Sequence, residues 1–477
     1  MRYIPTIGLE VHAQLNTKTK IFCSCKTSFG NAPNVNTCPV CLALPGALPV
    51  LNKEALDKAL IAGLAIKANI HNVSKFDRKN YFYPDLPKAY QITQMHMPYC
   101  TMGHLFIEKE NGTKKKINIT RIHMEEDAGK LMHSEDPNIS ESYVDLNRAG
   151  TPLIEIVSEP ELDDSEEAYL YLAELKSILE YIGVSDCNME QGSLRCDANI
   201  SIRPEGTTTL GTRAEIKNLN SFKGVRAAIE YEILRQTDIL NTNGEVKQET
   251  RLWNATTNQT FAMRSKEEAH DYRYFPDPDL VPVILSNEEI QKAKSSLPEL
   301  AKEKQIRFVE QYELPSYDAQ ILTMDKTTAN YFEETVKLGA GAKKTSNWMM
   351  AEMMAVKNEK HCELIDLFSP KHLAALVNEI ESGKISGKIG KDVFAQMIET
   401  KEMPNVIIEK KGLSQISDKG AITKLVDEVI GENQESVDAY KAGKDNALKH
   451  LMGQVMKKSR GKANPPLVNK LLLERLK

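Results

Sequence analysis

The run TIGLEVHAQL, residues 6–15, alternates apolar and polar side chains with period two. As a strand it places Ile7, Leu9, Val11, Ala13 and Leu15 on one face. Thr6, Gly8, Glu10, His12 and Gln14 take the other, so a carboxylate and an imidazole stand two residues apart on a polar face. The arrangement recurs. In RIHMEED, 121–127, Arg121, His123 and Glu125 oppose Ile122 and Met124. In LRCDANISIR, 194–203, Arg195, Asp197, Asn199, Ser201 and Arg203 alternate with five apolar residues. In TPLIEIVSEP, Glu155 shares a face with Leu153 and Val157, so it needs a partner.

Carboxylates crowded on one sheet face repel one another unless a cation sits among them. Oxygen ligands with an imidazole favour Mg²⁺ or Mn²⁺ over zinc. Arginines beside them suit phosphate oxygens. Together these are the parts of a metal-dependent phosphoryl-transfer site. A solvated polar face is the alternative for any single strand. The metal reading requires the strands to lie side by side. No phosphate loop assists: GAGAKKT from Gly339 lacks the second glycine of the motif, and GKISGK from Gly383 has the wrong spacing. Metal and arginines must then hold the phosphates of any ATP.

Cys23, Cys25, Cys38 and Cys41 form C-S-C, twelve residues, then C-P-V-C. Two close pairs across a short loop suit a tetrahedral zinc ion, although the first pair is C-x-C rather than the commoner C-x-x-C. Four thiolates leave no open position, so the ion is expected to be structural. A redox C-x-x-C would not explain the first pair. Cys100, Cys187, Cys196 and Cys362 are scattered and read as packing residues.

These groups need a scaffold. The chain has 477 residues, 41% hydrophobic and 27% charged, which favours neither disorder nor a membrane class. No apolar run approaches the ~18 residues of a membrane span, and the N-terminus lacks a signal-peptide core. A cytoplasmic protein with reduced or metal-bound cysteines is expected. Amphipathic helices are expected over 53–68 with Asn52 as N-cap, over 165–182 with Asp164 and Glu167 as a capping box, and over 222–243. Strands are expected at 4–15, 117–126, 143–157, 194–203 and 213–217. Runs of strands between helices, without repeated β-α alternation, indicate an α+β fold with a largely antiparallel sheet. After about Ser295 the pattern is helical, GKISGKIG (383–390) is a possible linker between helical units, and Asn464-Pro465-Pro466 precedes a last helix from Leu467.

Net charge is −5, but residues 401–477 hold 15 basic and 10 acidic residues. A mildly acidic body with a basic end suggests that only the end meets a polyanion; a solubilising helix surface is the alternative. Residues 77–91, DRKNYFYPDLPKAYQ, crowd aromatics, prolines and cations into one stiffened loop.

Many long words in order now carry a resemblance over essentially the whole chain. They are IGLEVHAQL, the cysteine cluster with LALPGALPVLN, DRKNYFYPDLPK, HMEEDAGK, VDLNRAGTPLIEIVSEP, GSLRCDANISIRP, EIKNLN, RYFPDPDLVP and MGQVMKKSRGKANPPLVNKLL. The chain resembles the B subunits of the tRNA-dependent aspartyl/glutamyl amidotransferases, the GatB family. The resemblance implies a ligase component that uses ATP and Mg²⁺ (or Mn²⁺) to phosphorylate the side-chain carboxylate of Glu-tRNA(Gln) or Asp-tRNA(Asn). Ammonia from the amidase (A) subunit then displaces phosphate, and a small C subunit completes a heterotrimer. It implies a catalytic domain like that of glutamine synthetase over 1–293 with a zinc knuckle, a helical domain over 294–405, and a tRNA-binding tail over 406–477.

Carried onto this sequence, Glu10, His12 and Glu125 become the magnesium ligands, with Glu155 and Asp197 next. Arg195 and Arg203 are expected at the nucleotide phosphates. Lys79, Tyr81, Tyr83 and Lys88 are placed near the tRNA 3′ end, Lys79 also among the catalytic residues. Lys457, Lys458, Arg460 and Lys462 are expected to meet tRNA. One departure is Ala89, where the family usually has glycine; the backbone there is expected to avoid φ > 0. Two competing readings remain: a non-catalytic tRNA-binding scaffold, and a stand-alone ligase acting on free glutamate.

Overall fold

Alternating sequences become strands because one face can be buried while the other stays polar. The computed structural model describes residues 2–134, 138, 140–263, 272–413, 419–444, 446–459 and 463–476. It divides into two compact units, Met1–Leu300 and Ala301–Lys477. The first unit is α+β and the second is helical.

A nine-stranded sheet organises the first unit. Its spatial order is Gln259–Ala262, Glu249–Asn254, Ala214–Leu219, Leu194–Pro204, Tyr3–Gln14, Pro152–Ser158, Lys114–Glu126, Cys100–Glu108 and Asn69–Ile70. Every neighbouring pair is antiparallel except Ala214–Leu219 with Glu249–Asn254. The helix Phe222–Asn241 supplies the crossover that a parallel pair needs. Tyr3–Gln14, which precedes the other eight strands in sequence, therefore lies at the sheet's centre.

Ile7, Leu9, Val11 and Ala13 face a single core. Helices Lys53–Ala65, Ser165–Tyr181 and Phe222–Asn241 cover it with residues such as Ala59, Leu172, Leu175 and Ile229. Each large aliphatic side chain buried there contributes about 1.5–3 kcal/mol. Asn52, Asp164 and Ser221 cap these helices by accepting from Glu54, Glu167 and Gly224 N–H groups. The capping box expected at Asp164 is displaced by one residue: the Glu167 carboxylate accepts from Asp163 N–H at 2.8 Å.

Some expectations change. The single run 143–157 is two strands, Ser142–Asp145 and Pro152–Ser158, in different sheets. Gly150, at φ +83°, turns the chain between them. In the second unit, GKISGKIG joins two helices of one core rather than two units. Ser386 caps Gly387–Thr400, whose Val393 and Phe394 share that core with Leu373 and Val377 of Pro370–Glu381. Another core forms from Ile422, Val426, Leu451, Val455, Val468 and Leu472. A boundary at 293 would cut the helix Asn287–Ser296, and one at 405 would cut Pro404–Lys410, whose Ile407 and Ile408 belong to the earlier core. The last helix starts at Pro465, since proline fits a first helical turn.

Ala89 also departs from expectation, with φ +58°. Its N–H closes a tight turn on the Leu86 carbonyl at 3.0 Å. That turn brings Tyr90–Thr93 back against Asp77–Asn80. A side chain in the left-handed region costs about 1–2 kcal/mol, partly offset by glycine's greater unfolded-state freedom. Ala89→Gly should therefore raise the unfolding free energy by up to about 1 kcal/mol, read from urea midpoints at constant m-value.

Candidate active site and metal centre

Register decides which polar residues meet. His12 pairs across the sheet with Glu155 on one side and Arg195 on the other, and Glu155 pairs with His123. Two strand positions earlier, Glu10 pairs with Asp197. The polar face thus carries two separate clusters. In one, His12 Nε2 and His123 Nε2 each lie 3.3 Å from Glu155 Oε2, and His123 Nε2 lies 3.2 Å from Glu125 Oε1. His12, Glu125 and Glu155 bring ligand atoms within 4.8 Å of one another, and so do Glu10, Asp197 and Glu215. The expected single set of Glu10, His12 and Glu125 therefore divides. Glu10 joins the neighbouring group because it stands opposite Asp197.

Each cluster is held from outside. Glu125 accepts from Thr93 Oγ1 at 2.6 Å and Gln91 Nε2 at 2.9 Å, and Tyr81 OH donates to Gln91 Oε1 at 3.1 Å. Asn199 Nδ2 donates to Glu10 at 2.9 Å, Lys217 Nζ meets Asp197 at 2.6 Å, and Thr250 donates to Glu215 at 2.8 Å. The Lys79 ammonium lies 5.1 Å from the Tyr272 ring centroid and 5.9 Å from that of Tyr81.

Arg195 is near but engaged, with Nη2 2.8 Å from Asp127, which also accepts from Gln14 at 2.7 Å. Arg203 lies six residues along the strand from Asp197, roughly 20 Å away, and donates to the Thr207 carbonyl. It joins neither cluster. Arg213 instead lines a cleft of about 200 Å³ that also touches Gly8, Glu10, Ser158, Asn199 and Ser201. A hollow of about 760 Å³ at the other end of the central strand, beside Gln14, Lys18 and Lys26, holds neither cluster. Lys88 is paired with the buried Glu126. Tyr83 is 61% exposed. On the helix Asn446–Lys458, Lys457 is exposed and Lys458 pairs with Glu428 and Glu432. Arg460 and Lys462 lie outside the described residues.

Electrostatics follows from this crowding. Burial, then Glu155, Glu215 and Asp197, raise the Glu10 pKa. Burial opposes ionisation of Glu155, but His123 and His12 hold its carboxyl well below the usual range. Burial and Glu155 push Glu125 up, yet His123 and Lys79 bring it below normal. Burial disfavours the His123 cation, but Glu155 and Glu125 lift its pKa to about 9. The His123 imidazole is thereby disposed to carry a proton that offsets Glu125 and Glu155. Asn199 Oδ1 is buried with no hydrogen-bond partner, a spare oxygen beside Glu10. Oxygen-rich donors with an imidazole fit Mg²⁺ or Mn²⁺.

Cys23, Cys25, Cys38 and Cys41 bring their sulfurs within 4.8 Å of one another. Cys38 and Cys41 Sγ are 3.9 Å apart, and Cys38 N–H donates to Cys41 Sγ at 3.1 Å. Tetrahedral zinc with 2.3 Å bonds needs sulfurs about 3.8 Å apart. A hydrogen bond from Cys23 is the main cause that lowers the Cys41 thiol to about 4, and the Lys20 charge adds to it. The set fits structural zinc. Cys100, Cys187 and Cys196 are buried in the first core, and Cys362 packs against the first core of the second unit.

Comparison with known proteins follows the same division. A family profile described as the GatB/GatE catalytic domain matches residues 5–291, and one described as a GatB domain matches 330–476. The chain belongs to the GatB/GatE family. It is 54% identical over 477 residues to the B subunit of the aspartyl/glutamyl-tRNA(Asn/Gln) amidotransferase of Caldanaerobacter subterraneus subsp. tengcongensis. It is 53% identical to the corresponding B subunits of Geobacter sp. (strain M21) and Persephonella marina. In each case the match covers all of both chains.

In this GatB/GatE chain, Glu215 is the residue the sequence reading missed. Its signal was EIKNLN, where Glu215 and Lys217 alternate. Gln91, Thr93 and Asp127 became visible only through tertiary contacts. His123 makes a prediction possible. A divalent ion at Glu125 and Glu155 repels the His123 proton, so Mn²⁺ affinity should rise with pH and level off above about 9. Calorimetric titration in buffers of different ionisation enthalpy should count proton release below that pH.

Proposed function

We propose that this chain activates the side-chain carboxylate of Glu-tRNA(Gln) or Asp-tRNA(Asn), or of both, with ATP, for amidation by ammonia from a partner protein. The observation that carries this reading is the pair of carboxylate clusters side by side on one sheet face. A carboxylate is a poor acyl donor because oxide is a poor leaving group. Its oxygen attacks the γ-phosphorus of ATP while the bond to ADP breaks, giving an acyl phosphate. Ammonia then attacks the acyl carbon, and phosphate leaves with the bonding electrons.

Cations held by His12, Glu125 and Glu155 and by Glu10, Asp197 and Glu215 would neutralise phosphate oxygens when bound. Thr93 and Gln91 fix the Glu125 carboxylate, and Asn199 fixes Glu10. The cleft beside Glu10, with Arg213 at its wall, suits the phosphate end of the nucleotide. Lys79, among aromatic rings beside Glu125, supplies positive charge to the reacting carboxylate. Exposed Tyr83 and Phe82 suit stacking on the unpaired 3′ end of tRNA. The cysteine centre is read as structural zinc.

The working assembly is a cytoplasmic complex with the amidase (A) subunit and the small C subunit. The helical core from 419 to 476 is read as the tRNA-binding tail. Among the described residues no helix is long and apolar enough to cross a membrane. A tRNA-binding scaffold gives no reason for burying two carboxylate groups against one face. A ligase for free glutamate gives no role to the aromatic loop.

Glu125→Ala should lower transamidation at least about a hundredfold while the partner still hydrolyses glutamine. Paired assays of both reactions, with ATP turnover dependent on mischarged tRNA, check this. Deleting 419–477 should weaken tRNA binding and flatten its dependence on salt. Filter binding across a salt series reads both, and an unchanged slope removes the tail from tRNA recognition.

A further inference from the structure

Lys20 is fully buried, with 0% of its surface exposed. Its Nζ donates to the carbonyls of Asn36 at 2.7 Å and Leu146 at 3.3 Å. Carbonyls supply hydrogen bonds but no charge. Among the described residues no carboxylate forms an ion pair with it. Buried lysines are almost always paired, because an uncompensated ammonium in a protein interior is costly. The missing anion must therefore come from another source.

The lysine stands beside the cysteine cluster. Its backbone N–H donates to the Cys25 carbonyl at 3.0 Å. Its Nζ holds Asn36, two residues before Cys38. A Cβ added at Gly150 would meet Lys20 Cδ at 3.5 Å, Cys41 Cβ at 3.7 Å and Glu126 Oε2 at 4.0 Å, so all three side chains flank one gap, the Glu126 carboxylate being already claimed by Lys88. Lys20 thus touches the backbone of one cysteine pair and lies beside the other.

We propose that Lys20 is the built-in counter-ion of the four-cysteine centre. Four thiolates on one Zn²⁺ leave a net charge of about −2. Half of that is offset by one ammonium fixed nearby, and the ammonium in turn gains the anion it lacks. The two carbonyl bonds hold the charge in place, as hydrogen bonds around a metal site hold its ligands. The same ammonium reaches the Leu146 carbonyl in the segment that carries Arg148, whose Nε lies 3.6 Å from Asp127. The counter-ion therefore also joins the cysteine loop to the edge of the active face.

This inference rests on the zinc reading, and the experiment separates the two. Zinc content of the purified full chain is measured first. Zinc retention is then measured by competition with a chromophoric chelator for wild type, Lys20→Met and Lys20→Arg. Urea unfolding is followed with zinc bound and after chelation. Lys20→Met should lose zinc about ten- to a hundredfold more readily. Its stability loss relative to wild type should be larger with zinc bound than after chelation, because the full charge of the four-thiolate centre is present only with the metal.

Equal zinc retention, or the same stability loss in both forms, would overturn the counter-ion and leave a lysine that only pins carbonyls. Should Lys20→Met not fold, Lys20→Arg decides. Retention close to wild type supports charge compensation, and a loss of tenfold or more overturns it. A zinc-free wild type from zinc-replete expression would overturn the zinc reading and this inference together.

Discussion

Like charges on neighbouring strands repel, and the active face concentrates them. Glu10, Glu125, Glu155, Asp197 and Glu215 are drawn together by sheet register and partly buried. The chain tolerates this by interleaving cations. His12 and His123 serve one group, and Lys217 serves the other. These offset the acids only in part. An imidazolium yields its proton, and one lysine shared by Asp197 and Glu215 leaves Glu10 in excess. Burial first, and then the neighbouring Glu155, Glu215 and Asp197, raise the Glu10 pKa.

The opposite face makes this tension affordable. Ile7, Leu9, Val11 and Ala13 are almost wholly buried under three helices. A slip of one residue would carry those side chains into water and the carboxylates into the core. Hydrophobic burial thereby fixes register, and register fixes which acids meet. Residues far from the chemistry, such as Leu172 and Ile229, act on the site in this indirect way.

Alternation alone identified the face that carries Glu10, His12, Glu125, Glu155 and Asp197. It could not tell one cluster from two, because that depends on which residues stand opposite across strands. Arg203 shows the same limit, since alternation reports a face and not a distance along it. Glu215 lies in a short strand whose pairing with Leu194–Pro204 shifts between Cys196 and Ala198. A period-two reading carries no sign of such an irregularity. Lys88 looked available in a polar loop, yet Glu126 claims it from 38 residues away. At Ala89 the turn's hydrogen bond outweighs the side chain's preference. Helical regions were legible from periodicity, whereas the limits of their cores depend on packing between distant helices.

The position of Tyr3–Gln14 at the centre of the sheet has a consequence for biosynthesis. This segment leaves the ribosome before its partners Pro152–Ser158 and Leu194–Pro204, which follow about 140 to 200 residues later. At ordinary elongation rates the interval is about 10–40 s. Throughout it, an apolar strand with two open edges stays unpaired. Nascent chains of this protein are thus natural clients for holding chaperones, and slow pairing over long sequence separation sets the pace of maturation.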